Sequence, residues 1–213
     1  MLVLTFAQFT IVDSLHLSGG YINGAAWDGS TVWITNNDAD PGTKLHQVDP
    51  NTMSVLLTYN YSYTSGGFDG LTYAQGYLYP TYYPTASIWK IDPSDGSHDD
   101  TYSAPTSTYV YGMALDGQHI WYTDQDLWQL WELDPADMSV IRGPISLSFS
   151  PKDAGWLNGH LYIMGTDCYL RLVDTTDGSV LWQAPFPRSY CAGLAFGGGY
   201  MWVGTNNATG KLY

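Results

Sequence analysis

Aspartate supplies the side chains of this chain that could do acid–base chemistry. Nineteen of the twenty acidic residues are aspartates, and Glu132 is the single glutamate. Glycosidases use two carboxyl groups on either side of the scissile bond, so both would have to be aspartates here. Asp69 and Asp153 are the candidate pair. Because aspartate is also common in turns, we expect turn chemistry to account for most of the acidity.

The predicted loops combine polar acceptors with aromatic rings. This combination suits a sugar, whose hydroxyls need acceptors and whose C–H faces stack on rings. Thr followed by Asp or Asn recurs in four of five loops, but such residues are also common in ordinary turns and rim packing. The candidate ligand-binding residues of this loop face are Asn36, Asp38, Asp69, Tyr82, Tyr111, Asp124, Asp126, Asp153, Asp167, Tyr190 and Asn206.

Metal-binding patterns are weak. Asn36, Asp38 and Asp40 have the 1-3-5 spacing of a calcium loop, but Pro41 replaces the required glycine and Gln47 the bidentate glutamate. The five histidines show no H-x-x-x-H spacing. We therefore predict no cofactor, with calcium at the three loop residues as the alternative.

The two cysteines, Cys168 and Cys191, fall on the same predicted face of adjacent repeats. A disulfide requires Cα atoms within about 7 Å. The alternative is two free, packed thiols.

Two landmarks repeat along the chain with one period. The first is a hairpin glycine followed by an aromatic strand, with spacings of 47, 41, 42 and 40 residues: Gly29, Gly76, Gly117, Gly159 and Gly199. The second is a turn that starts at aspartate, with spacings of 43, 42 and 40: Asp49, Asp92, Asp134 and Asp174. A repeat of about 40–45 residues with four short strands is typical of a β-propeller blade.

The sequence therefore predicts an all-β, five-bladed propeller with four-stranded antiparallel blades in a single domain, 1–213. The predicted blades are 20–66, 67–108, 109–150, 151–189 and 190–213 plus 1–19. Residues 10–17 are expected to supply the outer strand of the last blade, since closing the ring removes exposed edges. One aromatic residue per blade is expected at an equivalent, buried position: Trp33, Tyr79, Trp121, Tyr162 and Trp202.

Charge and hydropathy exclude several classes of partner. The net charge of −13 argues against nucleic acid and anionic membrane surfaces. No apolar run reaches the ~18 residues of a membrane helix, so no membrane insertion is expected. The first ten residues do not resemble a signal peptide, and the composition favours an extracellular or virion-associated protein.

Two segments resemble the repeats of the virginiamycin B lyase-like, NHL and YVTN group of propellers. They are G-M-A-L-D-G-Q-H-I-W-Y-T-D with L-W-E-L-D-P (112–135), and L-R-L-V-D-T-T-D-G-S-V (170–180). The resemblance implies a propeller over nearly the whole chain. It leaves function open, because the group includes lyases, sensors and scaffolds.

We expect a non-enzymatic binding or assembly module that uses the loop face. The expected partner is a glycan, as the leading small ligand, or a protein. The module is also expected to form an oligomer or a larger assembly, such as a virion or surface structure. The alternative is a carbohydrate-active hydrolase or lyase with paired aspartates at the central mouth. Glu132 is predicted on the opposite face, and there is no G-x-S-x-G nucleophile motif.

Overall fold

The computed structural model describes residues 9–17, 20–38, 42–62, 66–106 and 110–213. It confirms the prediction of five four-stranded antiparallel sheets arranged as a propeller. Within these ranges the helical content is a single 3-10 turn, Tyr83–Thr85. None of the described helical structure is long and apolar enough to cross a membrane.

Each blade runs outward from the central channel as a simple meander. Blade 1 contains β2 (Gly20–Trp27), β3 (Val32–Asp38), β4 (Thr43–Asp49) and β5 (Ser54–Tyr61). Blade 2 contains β6 (Phe68–Ala74), β7 (Tyr77–Tyr82), β8 (Ser87–Ile91) and β9 (His98–Ser103). Blade 3 contains β10 (Val110–Leu115), β11 (Ile120–Asp124), β12 (Gln129–Leu133) and β13 (Val140–Ser146). Blade 4 contains β14 (Pro151–Leu157), β15 (His160–Gly165), β16 (Tyr169–Val173) and β17 (Val180–Pro185).

Blade 5 is closed by the N-terminal strand, as predicted. It contains β18 (Cys191–Gly197), β19 (Tyr200–Thr205), β20 (Lys211–Leu212) and, outermost, β1 (Leu15–His16). Leu15 pairs with Leu212 and His16 with Lys211 in antiparallel register. The two ends of the chain therefore share one sheet, which closes the ring without a covalent bond.

A disulfide joins Cys168 to Cys191, with a Cα–Cα distance of 5.3 Å. Cys168 follows β15 in blade 4, and Cys191 begins the inner strand of blade 5. Of the two alternatives that the sequence leaves open, the structure therefore has the disulfide. The bridge ties the fourth blade to the one that closes the ring.

The predicted aromatic position is confirmed in register. In every blade the ring residue of the second strand pairs with a small residue of the inner strand: Ala26 with Trp33, Thr72 with Tyr79, Ala114 with Trp121, Gly155 with Tyr162 and Ala195 with Trp202. The four rings other than Tyr162 are at most 4% exposed. Tyr162 is half-buried and lines an apolar cavity of about 540 Å³ between blades 4 and 5.

The outer turns account for many of the aspartates. Asp49, Asp92, Asp134 and Asp174 each accept a hydrogen bond from the backbone N–H two residues later, at 2.7–2.8 Å. This is the local geometry for which turns select aspartate. These carboxylates stabilise the outer turns, which lie away from the central channel.

Candidate functional site

The inner strands approach one another most closely at one position per blade. That position is glycine in blades 1, 2, 3 and 5 and aspartate in blade 4: Gly24, Gly70, Gly112, Gly193 and Asp153. A Cβ added to Gly70 would lie 1.6 Å from the carbonyl oxygen of Tyr111, and one on Gly24 would lie 2.3 Å from that of Asp69. Neighbouring blades thus pack backbone against backbone here, which leaves no room for a side chain.

Threonine hydroxyls link the first three blades at this level. The backbone N–H of Gly24 donates to Oγ1 of Thr35 at 2.7 Å, and this hydroxyl donates to the carbonyl of Asp69 at 3.0 Å. Thr81 repeats the arrangement between Gly70 and the carbonyl of Tyr111. Each hydroxyl therefore satisfies one backbone donor and one acceptor from adjacent blades.

Asp153 takes the glycine position in blade 4 and points towards the channel axis. It is 0% exposed, and its carboxylate accepts the N–H groups of Leu194 at 2.6 Å and Ala154 at 2.9 Å. The backbones of Ala25 and Met113 also donate to it, so four blades converge on this side chain. Burial raises the pKa of Asp153 well above its usual range, and the four N–H donors oppose that shift.

One residue before this position, the inner strands present a ring of side chains at the channel mouth on the loop face. They are Asn23, Asp69, Tyr111, Lys152 and Ala192. Asn23 donates from Nδ2 to Oδ1 of Asp69 at 2.9 Å. Nζ of Lys152 lies 3.7 Å from the centre of the Tyr111 ring, a cation–π contact. We call Asn23, Asp69, Tyr111 and Lys152 the mouth cluster.

The environment of the mouth cluster raises the pKa of one carboxyl group, that of Asp69, to near neutral pH. Asp69 is 7% exposed, and burial raises its pKa from the usual 3.8 to about 7, although the charge of Lys152 and the hydrogen bond from Asn23 oppose the rise. Burial also lowers the pKa of Lys152, against the attraction of Asp69 and Asp153. A carboxyl that titrates near pH 7 can both accept and return a proton under physiological conditions.

The opposite mouth of the same channel is surrounded mainly by aromatic and aliphatic side chains. Three residues beyond the glycine position, the strands place Trp27, Tyr73, Leu115, Trp156 and Phe196 around a cavity of about 130 Å³. Asp153 lies between this cavity and the mouth cluster along the inner strands. Among the described inner-strand residues, the ionisable groups with shifted pKa values therefore gather at the loop-face end.

The structure brings four of the predicted site residues together. Asp69 and Tyr111 belong to the mouth cluster, and Asp153 lies directly behind it. Asn206, in the loop after β19, donates from Nδ2 to Oδ1 of Asn23. The predicted pair Asp69 and Asp153 thus lies at one end of the channel, but Asp153 faces backbone N–H groups.

Four other predicted residues have contacts away from this cluster. Nδ2 of Asn36 lies 3.3 Å from Nε2 of His46, and Tyr82 packs with Phe68 and Trp89. Asp124 is fully buried and accepts the N–H of Leu127 at 2.8 Å. Asp167 forms an ion pair of 2.6 Å with Arg171 that, together with hydrogen bonds, lowers its pKa.

The remaining predicted residues are exposed or outside the description. Asp126 is exposed, and Tyr190 is 65% exposed in the left-handed region. Asp40 and the side chain of Asp38 lie outside the described residues, as do three of the loop segments: 39–41, 63–65 and 107–109. The calcium alternative, which needs both aspartates, stays a prediction.

Sequence reasoning missed Asn23 and Lys152. The available signal was the repeat itself: aligning the inner strands on the glycine position places both residues level with Asp69 and Tyr111. Lysine is also rare in this chain, with four in 213 residues, so a lysine on a buried inner strand was informative. The recurrence of Thr followed by Asp or Asn did not mark one equivalent position in every blade. At the level of Thr35 and Thr81, blades 4 and 5 have Met164 and Gly204 instead of threonine.

No protein-family model matches this chain, and no curated protein matches it in sequence. Its fold is similar to that of glutaminyl cyclase from Myxococcus xanthus, with a TM-score of 0.76, 13% identity, and coverage of 96% of this chain and 94% of that one. The fold is also similar to that of virginiamycin B lyase from Staphylococcus aureus, with a TM-score of 0.56, 17% identity, and coverage of 90% of this chain and 66% of the lyase. For the Pan2 WD40 domain of Neurospora crassa the TM-score is 0.59 at 8% identity, with coverage of 88% of this chain and 56% of that one.

These similarities bear on two expectations. The resemblance to the virginiamycin B lyase-like propellers is confirmed at the level of fold. The expectation of a non-enzymatic module is corrected, because the glutaminyl cyclase and the virginiamycin B lyase with this fold are enzymes. That expectation rested on the predicted position of Glu132, on the face opposite the loops, and on the absence of a G-x-S-x-G nucleophile motif. At these identities the comparisons establish that the chain is a β-propeller, a fold that serves several functions.

Proposed function

We propose that this protein is a general acid–base enzyme whose reaction takes place at the mouth cluster. The observation that carries the proposal is the Asp69 carboxyl group, with a pKa of about 7, which accepts a hydrogen bond from Asn23 and interacts electrostatically with Lys152. Carboxyl and amino groups whose pKa values are both perturbed, gathered in one cluster, are characteristic of catalytic sites.

We propose cyclisation of an N-terminal glutaminyl residue as the reaction. The similarity in fold to a glutaminyl cyclase, over nearly the full length of both chains, supports the choice of substrate. The α-amino nitrogen attacks the γ-carboxamide carbon and forms a new C–N bond. The bond to the amide nitrogen breaks, and ammonia leaves.

In this reaction Asp69 carries the proton. Its carboxylate accepts a proton from the attacking amine and returns it to the departing nitrogen, so that no net proton is gained or lost. The ammonium of Lys152 and the amide of Asn23 stabilise the negative charge that develops on the carbonyl oxygen. Asp153 acts as a positioning residue, because its hydrogen bonds hold the inner strands of four blades around the mouth.

Cleavage of a uronate-containing glycan by β-elimination is the second candidate, and Lys152 is the observation that favours it. A lyase needs a cation to neutralise the uronate carboxylate and a base to remove the adjacent C–H proton. In the mouth cluster Lys152 would supply the cation and Asp69 the base. The C–O bond to the leaving sugar breaks as the C=C bond forms, and Asp69 returns the proton to the leaving oxygen. A glycosidase would instead need two carboxylates that reach the substrate, and the carboxylate of Asp153 is fully buried against backbone N–H groups.

The test follows ammonia release and product mass when the protein is incubated with a peptide that begins with glutamine. We expect turnover above the spontaneous rate, rising with pH as Asp69 ionises near pH 7. Asp69→Asn retains the shape of the side chain but cannot carry the proton, so it should lower kcat by about 10²–10⁴-fold. Lys152→Met should also lower kcat.

Asp126→Asn is the matched control, since it removes an exposed loop-face carboxylate outside the mouth cluster. It should leave the rate unchanged. A parallel assay follows the formation of unsaturated sugar from oligouronates. If only the oligouronate were turned over, the substrate would be the glycan and not the peptide. Failure with both substrates, or full activity of Asp69→Asn, would overturn the assignment of this site.

A further inference from the structure

We propose that blade 3 carries a binding site for a divalent transition metal, formed by Asp116, His119 and Glu132. The site lies at the end of the blade opposite the mouth cluster, where β10 turns into β11. A ligand atom of each residue lies within 4.8 Å of the others. The mixed imidazole and carboxylate donor set is the one that Zn²⁺ accepts in three-ligand sites that keep a water as fourth ligand.

The two carboxylates are held by groups other than the proposed metal-ligand atoms. Asp116 accepts the N–H of Gln118 at 2.8 Å and of His119 at 2.7 Å on Oδ1, and Nε1 of Trp121 at 3.0 Å on Oδ2. A carboxylate can accept about four hydrogen bonds, so these three leave capacity for a metal. Arg142 donates from Nε to Oε2 of Glu132 at 2.9 Å. Such outer contacts orient metal ligands.

The direct contact between the other two ligands marks the position of the ion. Nδ1 of His119 lies 2.8 Å from Oε1 of Glu132. A Zn²⁺ ion with bonds of about 2.0–2.2 Å needs ligand atoms somewhat farther apart than a hydrogen bond. A small rotation of the half-exposed imidazole would admit the ion between Nδ1 of His119 and Oε1 of Glu132. The side chain of His119 is 36% exposed, which gives the ion a route from solvent.

Blade 1 shows that the fold does not need these ligands. Its hairpin uses Asp28 in the same way, accepting the N–H groups of Ser30 and Thr31 and Nε1 of Trp33. The pairings Trp33 with Gln47 and Trp121 with Glu132 put Gln47 level with Glu132. Thr31 takes the place of His119.

In blade 1 the hydroxyl of Thr31 connects the other two residues. It donates to Oδ2 of Asp28 at 2.6 Å and accepts from Nε2 of Gln47 at 2.9 Å. Blade 3 replaces this neutral set with an imidazole and the only glutamate of the chain. Because the same turn closes without ionisable partners in blade 1, His119 and Glu132 point to a ligand rather than to folding.

The double variant His119→Thr/Glu132→Gln gives blade 3 the set that blade 1 already uses, and it is the matched test. Zn²⁺ is titrated calorimetrically into the chelator-treated full chain. We expect the parent protein to bind one more equivalent than the double variant. Asp69→Asn should bind as the parent does, which separates this site from the mouth cluster.

Histidine ring signals in NMR spectra give a second measurement that needs no variant. Of the five histidines, the His119 ring should respond first to Zn²⁺. Equal stoichiometry in the parent and the double variant, no binding by either, or a first response at another histidine would each overturn the proposal. Loss of one equivalent together with the first response at His119 supports it.

Discussion

The first three blades and the fourth blade solve the same packing problem at the channel axis in different ways. In blades 1–3 a glycine admits the backbone of the next blade, and in blades 1 and 2 a threonine hydroxyl links the two. In blade 4 an aspartate occupies the glycine position, Met164 lies level with the threonines, and the carboxylate collects N–H groups from four blades. The first arrangement closes the axis with neutral groups, whereas the second places a buried acid there.

The difference shows how a repeat fold can acquire a site. Four blades need glycine because their backbones touch, and only one position on the axis can hold a side chain. The blade that departs from the pattern also contributes Lys152, next to Asp153 and close to Asp69. The departure from the repeat therefore coincides with the site that we propose for catalysis.

The largest effect should come from placing a side chain where blades 2 and 3 touch. In Gly70→Ala the new Cβ would lie 1.6 Å from the carbonyl oxygen of Tyr111, so the backbones must separate. We expect a loss of more than about 4 kcal/mol in the free energy of unfolding, measured by denaturant titration. Gly76→Ala is the control, because its Cβ meets nothing within 4 Å and only its φ of 87° is strained. Comparable losses in both variants would contradict the close-packing argument.

Removing the acid on the axis should have the next largest effect. Asp153→Ala leaves the N–H groups of Leu194, Ala25 and Met113 without their acceptor, and each buried unpaired group costs about 1–3 kcal/mol. We expect a total loss of about 4 kcal/mol in thermal or denaturant unfolding. Asp153→Asn keeps one acceptor oxygen and should lose less. If Asp153→Ala were as stable as the parent, blade 4 would not differ from the others in the way described.

The pH dependence of stability should distinguish Asp69 from the turn aspartates. Its pKa is raised from 3.8 in the unfolded chain to about 7, so its contribution is fully present below pH 4 and is lost as the pH rises to 7. Relative to the parent, Asp69→Asn should therefore gain stability between these pH values, by on the order of 3 kcal/mol. The contribution of His46, whose pKa is lowered to about 4, has the opposite sign in both proteins and cancels in the difference. A flat difference would mean that Asp69 is already ionised at low pH.

The smallest effect concerns a single threonine link. Thr81→Val replaces the hydroxyl that accepts the N–H of Gly70 at 2.8 Å and donates to the carbonyl of Tyr111 at 3.0 Å. We expect a loss of about 1–2 kcal/mol in unfolding experiments. Thr81→Ser retains the hydroxyl and should recover most of the loss. Equal stability of all three proteins would show that the link between blades is not energetically important.

Much of the architecture could be predicted from the residues alone. The spacing of the hairpin glycines and of the aspartate turns led to five blades of four strands, and the placement of residues 10–17 led to closure by the N-terminal strand. The register of Trp33 and its equivalents followed from counting. Local chemistry decides these features: turns require particular residues, and strands require aromatic and apolar alternation.

The candidate site could be predicted only in part, because local sequence does not show which polar residues meet. Asp69, Tyr111, Asp153 and Asn206 were chosen as polar or aromatic residues of predicted loops, but so were Asp167, which pairs with Arg171, and Asp126, which is exposed. Loop composition does not distinguish a turn aspartate from one that faces the axis. Asn23 and Lys152 were missed, although they lie level with Asp69 and Tyr111 on the inner strands.

The sequence by itself determined the number of blades, the strands in each and the way the ring closes, since these depend on local turn and strand preferences repeated along the chain. Only the tertiary structure decided which polar residues meet. Asp69 and Lys152 are more than eighty residues apart in the chain, and the circular arrangement of the blades brings them to one mouth. Their pKa values shift because the other blades remove water around them, an effect that depends on the whole ring.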